Sequence, residues 1–335
     1  MAPGLDGRVL ITGVSNHWGR GLAEALGGRS GVEVVGLDSE PPPAGIEGVR
    51  FVEADLRSPS AVELISEIDP DLVVHCGILW YPENDEPSRT LHDVNVIGTL
   101  NLLAGCERAS RLRALVVRSS SAIYGTSPSR PVFFTEEMAG ELPLVTRFQR
   151  DVGELEGYVE GFARSRPEVA CCVLRFQPEV GPGLDSPLVR YLSLPVVPVQ
   201  LGFDPLLQLL HPADATGALI AAVGKPVRGA VNVAPDGSIS LSRLLRLTGR
   251  VPLPLPPVVS DFAARRLGGI LHSADMHHDA RLLLRYGRGC DNRRLKREVG
   301  YRLAFDSEGT ARDLARRVHG LSLPVATASA GVVGG

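Results

Sequence analysis

The sequence predicts a doubly wound α/β fold, a Rossmann-type parallel sheet with a smaller C-terminal α/β unit. Three observations carry the prediction. Short β-branched runs alternate with helical patterns over the first 120 residues. The strands are near-continuously apolar, as in a sheet covered on both faces. A glycine-bearing turn directly follows the first strand.

The elements follow in order. Arg8–Thr12 (RVLIT) is the first strand, and Gly19–Leu26 then carries apolar residues at helical spacing. Val32–Leu37 and Val49–Glu53 are the second and third strands, and Ala61–Ile68 reads as a helix. Leu72–His75 is the fourth strand, Thr90–Ser110 a long amphipathic helix, and Ala114–Val117 the fifth strand. An irregular stretch after Tyr124 ends at a helix over Asp151–Arg164, whose apolar stripe is Val152, Leu155, Val159, Phe162 and Ala163. Val169–Phe176 is the sixth strand. Prolines then multiply. Gly229–Val233 is expected to return to the sheet, Leu241–Thr248 to be a helix and Pro252–Pro257 a Pro-rich connector. We therefore expect residues 1–178, with 206–235 returning to them, to form the nucleotide-binding domain. Residues 179–205 and 236–320 form a smaller substrate domain, and 321–335 a frayed tail.

Composition excludes several functions. The 335 residues include 44% hydrophobic and 22% charged side chains and carry a net charge of −3. That balance gives no basic field for nucleic acid or an anionic membrane. No apolar stretch reaches the ~20 residues that span a bilayer, and no leader-like segment opens the chain, so a cytoplasmic location is expected. The five cysteines (Cys76, Cys106, Cys171, Cys172, Cys290) show no C-x-x-C spacing, so neither a disulfide framework nor a metal site is expected. Nearly all the basic residues are arginine. The only lysines are Lys225 and Lys296.

The turn after the first strand reads GVSNHWG, from Gly13 to Gly19. The first glycine of such a loop makes the tight turn, and the last lets the helix pack close to the strand. A pyrophosphate then rests on the N–H groups and positive dipole end of the helix. The middle position is Asn16, the non-glycine residue most tolerant of positive φ. Asp38 closes the second strand 25 residues after Gly13. A carboxylate there accepts hydrogen bonds from the adenosine ribose and repels a 2′-phosphate, which selects NAD over NADP. Without that role, Asp38 is a turn residue before the EPPP loop.

With these residues the chain resembles the extended short-chain dehydrogenase/reductases, the NAD-dependent epimerase/dehydratase family, over residues 8–318. Seven segments in order carry the resemblance. Asp55-Leu56 matches an adenine-contacting Asp-Leu. Val73–Gly77 (VVHCG) matches the fourth-strand motif, placing Cys76 and Gly77 beside the cofactor. Asn95 lies in NVIGT. Ser119–Gly125 (SSSAIYG) matches the S-S-x-x-x-Y-G motif, with Ser119 near the cofactor and Ser120 at the catalytic Ser/Thr position. Leu174–Gly183 (LRFQPEVGPG), Gln208–Leu219 (QLLHPADATGAL) and Asp291–Tyr301 (DNRRLKREVGY) match the later motifs. The resemblance implies bound NAD and a small-molecule substrate, usually a nucleotide sugar, closest to the UDP-glucose 4-epimerase-like branches. It also implies a homodimer through the helices at Thr90–Ser110 and Asp151–Arg164.

The pattern breaks at the chemistry. The family's reaction rests on Tyr-x-x-x-Lys, the lysine lowering the tyrosine pKa so that it can act as a base. None of the six tyrosines here has a lysine four residues on. Alignment puts Phe148 at the tyrosine position and Val152 at the lysine position. Losing a general base costs about 10²–10⁴-fold in rate. The motif's substrate-contacting Asn falls at Pro178, which offers no side-chain donor. Asp151, beside the vacated lysine position, is a candidate base or simply a helix-start carboxylate. His75 and His211 fit structural roles. His272, His277 and His278 have no ligand geometry. The arginines from Arg281 to Arg297 read as a solvated face or as contacts to a substrate diphosphate. Three functions follow as expectations: an NAD-dependent sugar epimerase, dehydratase or reductase with an altered proton relay; a catalytically inactive NAD sensor or scaffold; or an enzyme of non-redox chemistry in the same cleft.

Overall fold

The computed structural model describes residues 6–80, 88–127, 133–181, 184, 186–256 and 278–320. Seven parallel strands form its central sheet. They are β1 (Gly7–Thr12), β2 (Val32–Asp38), β3 (Val49–Glu53), β4 (Leu72–His75), β5 (Ala114–Ser120), β6 (Ala170–Phe176) and β7 (Gly229–Val233). Their spatial order is β7-β6-β5-β4-β1-β2-β3. The order reverses at β1, which pairs with both β2 and β4. Such a reversal opens a crevice at the carboxyl ends of the two flanking strands, where ligands bind in doubly wound sheets. Gly13 leaves β1 at that crevice, and Cys76 and Gly77 leave β4 there.

Strand alternation divides the core. Leu10, Val35, Leu37, Val73, Leu115, Val117 and Val173 point to one face, under Ile65, Leu102, Leu155 and Phe162. Their neighbours Val9, Ile11, Val34, Val74, Val116 and Leu174 point to the other, under Leu22, Leu26, Ala218 and Leu219. Period-two alternation with both sets apolar explains why these strands read as continuous hydrophobic runs. A third cluster, including Val180, Leu188, Leu192, Val197, Leu207, Leu244 and Leu314, packs the later segments together.

The longer helices are α1 (His17–Leu26), α2 (Ser60–Ile68), α3 over 88–108, α4 (Arg147–Ser165), α5 (Pro212–Gly224) and α6 (Ser307–Gly320), with shorter pieces between. α4 starts four residues before the expected Asp151 because Thr146 and Gln149 cap it reciprocally: Thr146 Oγ1 accepts the Gln149 N–H at 3.1 Å, and Gln149 Oε1 accepts the Thr146 N–H at 3.3 Å. α3 contains a π-helical turn, Asp93–Ile97, between α-helical Ser88–His92 and Gly98–Arg108.

One expectation is corrected. The Pro-rich segment expected as a connector contains a strand, Val251–Leu255, paired in parallel with Val196–Gln200. Pro252 and Pro254 fall at every second position, where a strand's N–H points away from its partner. The bonding groups lie on either side of them: the Val251 N–H donates to the Pro195 carbonyl, and the Leu201 N–H to the Leu255 carbonyl. The tail from residue 321 lies outside the described residues.

Candidate functional site

The loop after β1 is shaped by its two glycines. Gly13 adopts φ +72°, and a Cβ there would stand 2.7 Å from the backbone of Gly77. A Cβ on Gly19 would stand 2.1 Å from the Gly13 carbonyl oxygen. Neither position accepts a larger residue without moving backbone.

Asn16 departs from its expected role. Its φ is −79° with extended ψ, so no positive φ is needed. It is instead the N-cap of α1: Oδ1 accepts the N–H groups of Trp18 and Gly19 at 3.1 and 2.9 Å, and Nδ2 donates to the Cys76 carbonyl at 2.8 Å. The capping amide thus occupies two of the first-turn donors that a pyrophosphate uses.

Asp38 is joined to this loop. The Ser15 N–H donates to Oδ2 and the Ser39 N–H to Oδ1, both at 2.9 Å. Burial pushes the Asp38 carboxyl above the usual range, against these two hydrogen bonds. A carboxylate accepts about four hydrogen bonds, so with the two backbone donors and the Ser15 side chain against it Asp38 keeps room for a further donor. Asp55 sits past β3 with Arg57 bonded to it, which holds its carboxyl below the usual range. The carbonyl of neighbouring Leu56 accepts from Asn101 Nδ2 at 2.8 Å. Asp38, Asp55 and Leu56 all stay partly exposed.

Two cofactor-side candidates have structural duties. Cys76 is fully buried in the core, so only its carbonyl faces the loop. Asn95, in the π-helical turn, clamps the chain after β4: its Nδ2 donates to the Leu79 carbonyl and its Oδ1 accepts the Leu79 N–H, each at 2.8 Å.

The chemical positions converge on one cleft. Ser119, Ser120, Phe148 and Pro178 line it together with Trp18, Arg118, Glu179 and Arg288 around a cavity of only about 50 Å³. Ser119 Oγ donates to the Glu156 carboxylate. Ser120 Oγ caps the following 3₁₀ turn by accepting the Ala122 N–H at 3.2 Å. Phe148 lies tilted against Trp80, ring centroids 6.4 Å apart. Val152 is completely buried among the core residues under α4. Asp151 is not among the cleft-lining residues. It is buried beneath α3, where its Oδ1 lies 2.8 Å from His92 Nδ1. His92 had no visible signal in the sequence.

Trp18, Arg118 and Glu179 also went unread. The Trp18 Nε1–H donates to both Glu179 oxygens at 2.7 and 2.6 Å. The Arg118 guanidinium lies 3.4 Å over the indole centroid, and its Nη2 reaches Glu179 Oε1 at 3.3 Å. Burial pushes the Glu179 carboxyl up, while Arg118 and Trp18 draw it down. The available hint was a large aromatic in the first turn of α1, where a phosphate loop needs bare backbone. Ligand pockets commonly measure about 300–1,000 Å³, so the cavity beside Ser120, at about 50 Å³, is small, while Asp38, Asp55 and Leu56 on the adenosine side stay partly exposed.

The remaining candidates are structural. His75 is buried between the hydroxyls of Thr12 and Thr99, at 2.6 and 3.0 Å. His211 caps α5 and stacks on Phe305. His278 begins a helix at the surface; His272 and His277 lie outside the described residues. Of the late arginines, Arg288 is buried in the cleft wall and bonded to Asp279 at 3.1 and 3.3 Å. Arg293 and Arg294 pair with Asp291 and Glu298. The five cysteines are free and buried. Among the described residues no cluster could hold a metal ion, and no helix is long and apolar enough to cross a membrane.

The family model described as "NAD dependent epimerase/dehydratase family" matches residues 9–232. An uncharacterized protein of Mycobacterium tuberculosis is 35% identical over 298 residues, covering 88% of this chain and 79% of its own. Human short-chain dehydrogenase/reductase family 42E member 1 is 30% identical over 196 residues, 55% of this chain and 49% of its own. Among solved structures, a UDP-glucose-4-epimerase from Stenotrophomonas maltophila, with NAD and formylated UDP-arabinopyranose bound, superposes with a TM-score of 0.70. It is 21% identical and covers 94% of this chain and 99% of its own. A UDP-glucuronic acid 4-epimerase from Bacillus cereus in complex with NAD gives 0.69 at 15% identity, over 94% and 99%.

Proposed function

Because this chain belongs to the NAD-dependent epimerase/dehydratase family, we propose that it binds NAD through the Gly13–Gly19 loop and Asp38, and that its cleft does not run Tyr–Lys chemistry. The observation that carries the reading is the Asp38 carboxylate, tied to the Ser15 N–H beside Gly13 and partly exposed, with acceptor capacity left for a ribose hydroxyl. The adenosine end of NAD is then held by Asp38 and by the Asp55-Leu56 segment. Bound NAD supplies a hydride acceptor in this family. Phe148 has no hydroxyl and Val152 no charge, so this chain has no proton relay at those positions. The protein is then an NAD sensor or scaffold on a retained enzyme fold. In this reading it is cytoplasmic and a homodimer. Ile97 and Leu100, exposed on α3, are apolar residues that such an interface would cover.

Titration calorimetry of the cofactor-stripped protein with NAD and with NADP tests the reading. We expect NAD to bind and NADP to bind at least ten-fold more weakly. Asp38→Asn removes the repelling charge and is expected to narrow that gap several-fold. Failure of the protein to bind either nucleotide would overturn the proposal.

A second reading has its own observation. Glu179 is a buried carboxylate in the cleft wall, raised in pKa by burial, the environment that suits an acid–base group. On that reading the chain acts on a nucleotide sugar, with Glu179 exchanging a proton with a sugar hydroxyl in place of the missing tyrosine. Turnover of a UDP-sugar that Glu179→Gln abolishes would favour it.

A further inference from the structure

The cleft beside Ser120 is filled from the cofactor side. Trp18 stands in the first turn of α1, Arg118 at the end of β5, two residues before Ser120, and Glu179 just past β6. Three separate pieces of chain thus converge on one sandwich. The guanidinium lies over the indole, and the carboxylate takes the indole N–H and one guanidinium N–H. The Phe176 ring lies 5.5 Å from the same guanidinium, and Arg118 Nη1 donates to the Ile78 carbonyl at 3.2 Å.

The sandwich is internally neutral, one guanidinium against one carboxylate, although Arg118 Nε is buried in it without a hydrogen-bond partner. Glu179 is 6% exposed and the Arg118 side chain 12%. Cation–π contacts of this kind are worth about 0.5–2 kcal/mol, more as they are desolvated, and the charge-assisted hydrogen bonds add to that. The same indole lines the cavity that Ser119, Ser120 and Phe148 line, and it leaves about 50 Å³. A nicotinamide ring with its ribose does not enter that space while Trp18 is stapled there. Asp38, Asp55 and Leu56 stay partly exposed.

We propose that this chain recognises adenine nucleotides by their adenosine end alone, with Trp18 keeping the nicotinamide half of a dinucleotide out of the cleft. The ligand class is then NAD, ADP-ribose and ADP without distinction. This inference rests on the nucleotide-binding reading above and narrows it to one half of the ligand.

The test is calorimetric titration of the full-length protein with NAD, ADP-ribose and ADP. The three dissociation constants are expected to agree within about three-fold, because the part that differs makes no contact. NAD binding ten-fold or more tighter than ADP-ribose would overturn this inference and leave NAD binding standing. Absence of binding by all three would overturn the nucleotide reading and this inference with it.

Two variants test the role of the indole. Trp18→Ala is expected to raise the preference for NAD over ADP-ribose at least five-fold, as the cleft opens to the second half. Glu179→Gln loosens the staple without removing the ring and is expected to move the ratio in the same direction, by less. An unchanged ratio in either folded variant would show that Trp18 is packing and does not exclude the nicotinamide half.

Discussion

The Trp18 indole nitrogen lies 2.6–2.7 Å from both Glu179 oxygens, although 161 residues separate the two in the chain. The contact joins the first turn of α1 to the segment that leaves β6, across the crevice where the strand order reverses. In a fold whose ligands sit in that crevice, a bonded aromatic there decides what enters. Trp18 lines the same small cavity as Phe148.

Restoring the missing pair is expected to fail at one position and succeed at the other. Phe148 borders the cavity, so Phe148→Tyr places a hydroxyl next to free space and should cost less than about 1.5 kcal/mol. Val152 is wholly enclosed by the apolar residues under α4. An ammonium there would be buried among apolar side chains, so Val152→Lys should cost about 3 kcal/mol or more. Urea denaturation of the two variants checks the order.

The Arg288–Asp279 pair is 1% and 0% exposed at its side chains, and Gln149 Nε2 donates to the same carboxylate at 2.6 Å. Arg288→Ala strands a buried negative charge and should cost about 3–5 kcal/mol. Replacing both partners with apolar residues, Arg288→Met with Asp279→Leu, should recover at least half of that loss. Chemical denaturation of the single and double variants measures it. A double variant no better than the single would show that the arginine's packing matters more than its charge.

Burial holds His75 well below its ordinary value, at a pKa of about 4. In the unfolded chain the same ring titrates near 6.5. Between these values the unfolded state binds more protons, so stability rises with pH. The contribution is complete above about 6.5 and is lost as pH falls through about 4. The wild type should therefore lose more stability between pH 7 and pH 5 than His75→Gln does. Equal losses in parallel denaturation series would show that His75 is not buried neutral.

The local part of the molecule was legible from residue order. β3, β4 and β7 fall at the expected bounds, and β4, buried at every position, is the continuous apolar run that a sheet covered on both faces demands. Gly13 and Gly19 were legible too. Their requirement is for absent atoms, and an absent side chain is visible in a sequence. Asp38 was legible through its distance from that loop. The strand at Val251–Leu255 was not. Proline marks a break unless one knows which way each N–H points, and that depends on the neighbouring strand.

The sequence by itself determined the sheet, the turn and the absence of any Tyr-x-x-x-Lys pair, since each is a matter of residue type at a fixed offset. It left Asn16 as a φ-tolerant substitute, Asp151 as a candidate base and Trp18 unremarked. Only the tertiary structure made Asn16 a helix cap, gave Asp151 to His92 and brought Trp18, Arg118 and Glu179 into one contact. Whether a carboxylate is a base, a partner or a staple depends on what lies within about 3 Å of it. Those neighbours come from α1, α3, β5 and the end of β6, far apart in sequence, and packing alone chooses them.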